Sequence, residues 1–154
     1  MKITNAISNF VREPLLSPFG FKGGYLSELW QVVVRLECGE YSGVGTGIQS
    51  VLWSDASVFA STSQAGGNSY MFAMTDYALR LAKGMEFTDP FQLLDALLPQ
   101  VYKYGKVITG NPNLRKTFAL NALVPVDNAA WQLYANIQGE SDFVKLVPQD
   151  YQPA

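Results

Sequence analysis

The chain has 154 residues, a formal net charge of −2, a single cysteine and no histidine. That length suffices for one domain with a core of its own, and a composition 48% hydrophobic and 16% charged excludes a disordered chain. The lack of a Lys/Arg run removes the electrostatic footprint of a nucleic-acid binder. A lone Cys38 excludes an internal disulfide, and the missing histidine takes away the usual near-neutral general base and transition-metal ligand.

In chain order, KITNAISNFVR is β-branched and aromatic and predicts a strand over about residues 2–12. EPLLSPFGFKGGYLSE, residues 13–28, contains two prolines and three glycines and predicts an irregular connection. Its Leu15, Leu16, Phe19, Phe21 and Tyr25 are too apolar for an ordinary solvent loop, so it is expected to cover either its own sheet or a ligand. ELWQVVVRLEC predicts a strand over about 28–38 with Trp30, Val32, Val34 and Leu36 on one face. YSGVGTGIQ predicts a third strand over 41–49, joined to the second by a tight hairpin at Gly39.

After residue 50 the apolar period lengthens. SVLWSDASVFAST predicts a short helix opened by Ser54 or Asp55, and TSQAGGN a flexible hinge. A helix is predicted over about 69–83 from Tyr70, Met74, Tyr77 and Leu81, with Gly84 as its stop. A second is predicted over about 90–104, with Asp89 as N-cap, Pro90 first, Gln92 in the capping-box position and a kink at Pro99. A third is predicted over about 112–138 from an Asn111 cap. Its stripe runs through Leu114, Phe118, Ala122, Val126, Ala129, Ala130, Leu133 and Ile137 to Gly139, and Pro125 is expected to bend or restart it. The fold class is therefore α+β: a three-stranded antiparallel meander followed by a small helical bundle over residues 1–139, with 140–154 as a connector.

The carboxylates are scattered, without a D-x-D or E-x-x-E cluster, and read as a solvated acidic surface. No stretch of about 18 apolar residues marks a membrane span, nor does the N-terminus carry a signal-peptide core. A soluble, cytoplasmic chain is expected, with neither nucleic acid nor membrane as partner.

The opening MKIT, the third-strand GVGTG, the helix entry TDPFQLLDALL and the closing VDNAAWQL, in that order, resemble the N-terminal capping domain of the enolase superfamily, in its mandelate racemase/muconate lactonizing enzyme branch. The resemblance spans essentially the whole chain. Two positions depart from the family's pattern: Thr46 stands where a Glu usually follows the G-x-G, and Gln132 where A-x-W is usually followed by Asp. Both replacements remove a carboxylate.

The resemblance implies a C-terminal barrel domain beyond this chain, bearing a Lys or His base and one or two Mg²⁺ ions that stabilise an enolate. By itself this chain is then expected to hold no catalytic residue, metal or cofactor, and to be inactive. It would serve a racemase, epimerase, dehydratase or cycloisomerase acting on a small carboxylate substrate. Two segments would close that active site: Phe19, Phe21, Lys22 and Tyr25 in the first, and Ile48, Gln49 and Trp53 in the second. Their aromatic character points to a substrate with an apolar side and an anionic group near Lys22. The other reading is a free-standing protein-binding or dimerisation module, in which the same apolar surface meets a protein or a second copy in a homo-oligomer.

Overall fold

The computed structural model describes residues 1–152. Three antiparallel strands, β1 (Asn5–Phe21), β2 (Gly24–Cys38) and β3 (Tyr41–Gln49), form one sheet in the order β1-β2-β3. Alternation along β2 buries Trp30, Val32, Val34 and Leu36 on the inner face, as period-two patterning requires. Gly39, at φ +61°, opens the two-residue connection between the paired Cys38 and Tyr41. The expected meander is present.

The helices follow as α1 (Val51–Ser54), α2 (Ala56–Thr62), α3 (Gln64–Ala82), α4 (Pro90–Thr109), α5 (Lys116–Gln138) and α6 (Phe143–Leu146). Asp89 caps α4 by accepting from the Gln92 N–H, while the Gln92 side chain accepts from the Thr88 N–H, a reciprocal arrangement that satisfies two orphan donors. Pro99 lies on the exposed side of α4, and the helix continues through it to Thr109. The inner sheet face, with Met71, Met74 and Ala78 of α3, Leu93, Leu97 and Val101 of α4, and Phe118, Ala122, Val126 and Leu133 of α5, makes one contiguous core. No helix of the described residues is long and apolar enough to cross a membrane.

Four local expectations are corrected. The connection expected at 13–28 is regular: β1 continues to Phe21 and pairs with β2 up to the turn at Lys22–Gly23. Its prolines are tolerated because β1 is an edge strand, where a missing N–H costs no ladder bond, and because the register shift between Pro14 and Phe19 absorbs Leu15–Pro18 as a bulge. At the other end, Lys2 forms only an isolated bridge with Glu86, and strand pairing starts at Asn5. The hinge expected at TSQAGGN is the first part of α3; a side chain at Gly67 would collide with Val51, so this glycine serves close packing of α3 on α1. The last long helix begins at Lys116 rather than 112, because Asn111 turns back to bind the Asn113 N–H and the Arg115 N–H is taken by Asp55.

Pro125 does not restart α5, which runs unbroken from Lys116 to Gln138. Its backbone is pressed against β3. A Cβ at Gly43 would overlap the Ala129 carbonyl and the Leu133 amide, one at Gly45 the Pro125 carbonyl and the Ala129 amide, and one at Gly47 the Pro125 ring. The alternating glycines of GVGTG therefore let a helix lie directly on a strand. From the same helix, a row of amide side chains reaches the free edge of β3. Asn121, Asn128 and Asn136 donate to the carbonyls of Ile48, Thr46 and Ser42 at 2.9, 2.8 and 2.7 Å, and the Gln132 side-chain oxygen accepts from the Val44 N–H. They occupy four of the groups that an adjacent strand would otherwise pair.

Candidate functional site

The site is built on the arm that β1 and β2 form next to their connecting turn. Lys22 and Gly23 make its two-residue turn, with φ of +49° and +78°, the combination that a type I′ hairpin turn requires. For Gly23 that conformation is free; for Lys22 it costs roughly 1–2 kcal/mol. Beside the turn, the ring of Tyr25 lies over Gly20, 3.2 Å from where a Cβ would stand, and shields the backbone there. Phe19 and Phe21 stack with centroids 6.3 Å apart. Phe19 and Tyr25 remain 57% and 72% exposed, an unusual apolar display for so short a stretch of chain.

The second segment meets the first at the arm's tip. The Lys22 ammonium donates to the carbonyl of Trp53 at 3.0 Å and lies 5.3 Å from the centroid of the Phe21 ring, within cation–π range. Gly24 faces Leu52 and Phe59 so closely that a Cβ would come within 2.9 Å of Phe59. Phe21, Lys22 and Trp53 thus meet at the tip, with Trp53 53% exposed, while Tyr25, paired with Gly20, lies on the opposite face of the hairpin from Phe19 and Phe21.

The other two expected residues stand apart. Ile48 is on the outer sheet face opposite Gln31, seven residues, or roughly 23 Å along the strand, from Gly24. Gln49 is corrected outright: it is 1% exposed, and its amide nitrogen donates to the Thr75 hydroxyl at 2.9 Å. Strand alternation turns it inward, in phase with Gly43, Gly45 and Gly47.

The apolar residues of the 13–28 segment, expected to cover the sheet or a ligand, do form a lining. Leu15, Leu16, Ser17, Pro18 and Phe19 of β1, with Leu26 and Leu29 of β2, border an open apolar concavity of about 520 Å³. The signal for it is the run of apolar residues on both sides of the turn.

The arm's base is polar and fixed. Glu28 accepts from the Trp30 indole N–H at 2.7 Å and pairs with Arg12 at 2.9 Å. Burial alone would push the Glu28 carboxyl up, but the bonds from Trp30 and Arg12 outweigh it and hold the pKa below its ordinary value. Gln64, the first residue of α3, binds both sides of the same point: its oxygen accepts from the N–H and hydroxyl of Ser27, and its nitrogen donates to the Glu28 carbonyl.

The second segment rests on a buried polar junction. Asp55, 2% exposed, accepts from the Ser57 N–H and hydroxyl, the Val58 N–H and, from 60 residues away, the Arg115 N–H. Here too burial would raise the carboxyl, and the hydrogen bonds from Ser57, Arg115 and Val58 hold it below the ordinary Asp value. Asn121 ties the Ser50 N–H and Ser54 hydroxyl to α5, and Asn68 accepts from the Val51 N–H.

No three metal-ligating side chains converge among the described residues, so these residues do not by themselves fit the Mg²⁺ of the resembling enzymes. What the arrangement offers is an apolar, aromatic cover with one ammonium at its tip.

No protein-family model matches the sequence, and no curated protein is similar enough to it to count as a relative. Solved structures do match. Over 90% of this chain, a mandelate racemase/muconate lactonizing enzyme-like protein from Rubrobacter xylanophilus superposes with a TM-score of 0.54 at 17% identity. An enolase from Bradyrhizobium, complexed with magnesium and mandelic acid, gives 0.53 at 14% over the same share. The L-Ala-D/L-Glu epimerase from Bacillus subtilis, in a substrate-liganded complex, gives 0.51 at 16%, again over 90%. In each case the chain spans 32% of the length of the enzyme it matches. At such identities the likeness speaks for fold alone, and the fold is the one anticipated from MKIT, GVGTG, TDPFQLLDALL and VDNAAWQL: a three-stranded antiparallel meander followed by helices, shared with part of these enolase-superfamily enzymes.

Proposed function

We propose that this chain is the capping, substrate-specificity domain of a Mg²⁺-dependent enolase-superfamily enzyme that racemises, epimerises, dehydrates or cycloisomerises a small carboxylate. The reading rests on one observation: the arm tip and the β3–α1 segment converge through Lys22 and the Trp53 carbonyl while leaving Phe19, Tyr25 and Trp53 open. A surface of that kind, closed over a barrel mouth, excludes water and strengthens electrostatic stabilisation of an enolate. Lys22 presents its remaining N–H donors to an anionic substrate group, and the apolar residues take its hydrocarbon side. The base and the metal carboxylates come from the barrel, which is this domain's partner.

The test is a chimera in which residues 1–139 replace the matching part of a structurally similar racemase. α-Proton exchange is then followed in D₂O with Mg²⁺ over a panel of carboxylic acids. We expect selectivity to follow the transplanted arm, and F19A, Y25A and W53A to raise KM more than they lower kcat. A folded, active chimera whose selectivity ignores all three substitutions would refute the proposal. The chain alone is expected to exchange no α-proton.

The second reading, a protein-binding or dimerisation module, draws on the outer sheet face, where Ile7, Val11, Val44 and Ile48 are exposed. Under it, I7S/V44S would change the chain's mass in sedimentation, while F19A would leave it unaltered.

A further inference from the structure

We infer that Lys22 is a releasable latch: its ammonium fastens the arm's tip to the Trp53 carbonyl of the anchored second segment, and its release lets the tip lift off that segment about a pivot at Gln64.

Three observations carry this. First, Lys22 is held at φ +49°, where a residue with a side chain is strained. Asn or Gly would occupy that turn position more readily, and strain of this kind persists when the surroundings over-determine it. Here the over-determination is visible, in the 3.0 Å bond to Trp53 and the approach of Gly24 to Leu52 and Phe59. Second, α1 is a single turn, so its last carbonyls find no amide of their own helix, and that of Trp53 is free to accept the ammonium. Third, the arm is fixed to the helices differently at its two ends. At the base, Gln64 makes three hydrogen bonds to consecutive residues of β2. At the tip, the polar link is the one exposed Lys22 bond, which water or an anion can compete for. A firm base and a weak tip make a pivot and a latch.

The functional consequence, that the arm opens and closes against a second segment that stays anchored, rests on the capping reading. The latch does not, because it is measurable in the free chain. The experiment compares amide hydrogen exchange of peptides covering 20–25, 26–30 and 51–55 in the wild type, K22M, K22R and K22G. In K22M we expect 20–25 to exchange faster, by about threefold to tenfold, as loss of one exposed charge-assisted hydrogen bond implies. The 26–30 and 51–55 peptides should stay unchanged, and K22R should restore protection. K22G removes strain and latch together, so its Tm should equal or exceed the wild type's while exchange at 20–25 still rises. A purely structural role for Lys22 would not split the two readouts in this way.

Unchanged exchange at 20–25 in both K22M and K22G, or an equal rise at 51–55, would overturn the latch while leaving the capping proposal intact. Failure of the chimera with normal latch behaviour would do the reverse. Should K22M fold poorly, K22G decides the matter alone.

Discussion

The seam between α5 and β3 and the arm formed by β1 and β2 use the same residue types to opposite ends. In the seam, Gly43, Gly45 and Gly47 remove side chains so that a helix backbone can lie against a strand, and four amides occupy the strand's free edge. In the arm, Gly20, Gly23 and Gly24 let a hairpin turn, shelter under Tyr25 and dock, while large apolar side chains are left in the open. One region spends its sequence on rigidity and the other on display. A fold that supports both can vary the arm without disturbing the seam.

The sharpest way to break this contrast is a single methyl group. Gly45→Ala places a Cβ against backbone atoms of Pro125 and Ala129 that no rotamer change can move, and should cost about 3 kcal/mol or more, or abolish folding. Urea denaturation reads this directly. A tolerance for alanine there would mean that the helix does not rest on the strand.

Next in size is the junction under the second segment. Asp55→Ala removes acceptors for the N–H groups of Ser57, Val58 and Arg115 and should cost about 1–2 kcal/mol at pH 7. The carboxyl's pKa is depressed in the folded state. Its contribution is therefore fully present above the ordinary Asp value of about 3.9 and is lost as pH falls through the folded value. Wild-type stability should drop through this acid window, and D55A should show a shallower drop.

Smaller again is the edge seal. Asn128→Leu leaves the Thr46 carbonyl without its amide partner at the protein surface, and should cost about 1 kcal/mol. The smallest effect belongs to the arm: Leu16→Ser and Phe19→Ser, both at exposed positions, should stay within about 0.5 kcal/mol of wild type. A larger loss at either position would make the arm a packing element and remove the contrast.

What could be read from the amino acids divides along the same line. Trp30–Leu36 alternates cleanly and Asp89-Pro90 announces a helix start, because both signals are local and strong. The apolar stripe from Leu114 to Leu133 is buried as its spacing demands, although α5 itself starts only at Lys116. The arm was misread as irregular because Pro14 and Pro18 count against a strand only where their missing N–H is needed, and which strand lies at the edge is a property of the sheet rather than of the segment. Gln49 was misplaced even though the phase of Gly43, Gly45 and Gly47 already pointed it inward. Asn121, Asn128, Gln132 and Asn136 carry no sequence signal for their role. That they meet a strand edge depends on how close the glycines allow α5 to come, which no window of sequence contains. Gln132, where the resembling pattern carries an acid, still accepts from the Val44 N–H, a task that a carboxylate oxygen performs equally well.

The amide row has a consequence for how this molecule can associate. A sheet normally offers two flanks for further strands, and a chain with both open can propagate without limit. Here one flank is already occupied by the protein's own helix. Any strand-to-strand joining must use β1, and two molecules joined there have no flank left, so growth by that route halts at a pair and cannot continue into a fibre.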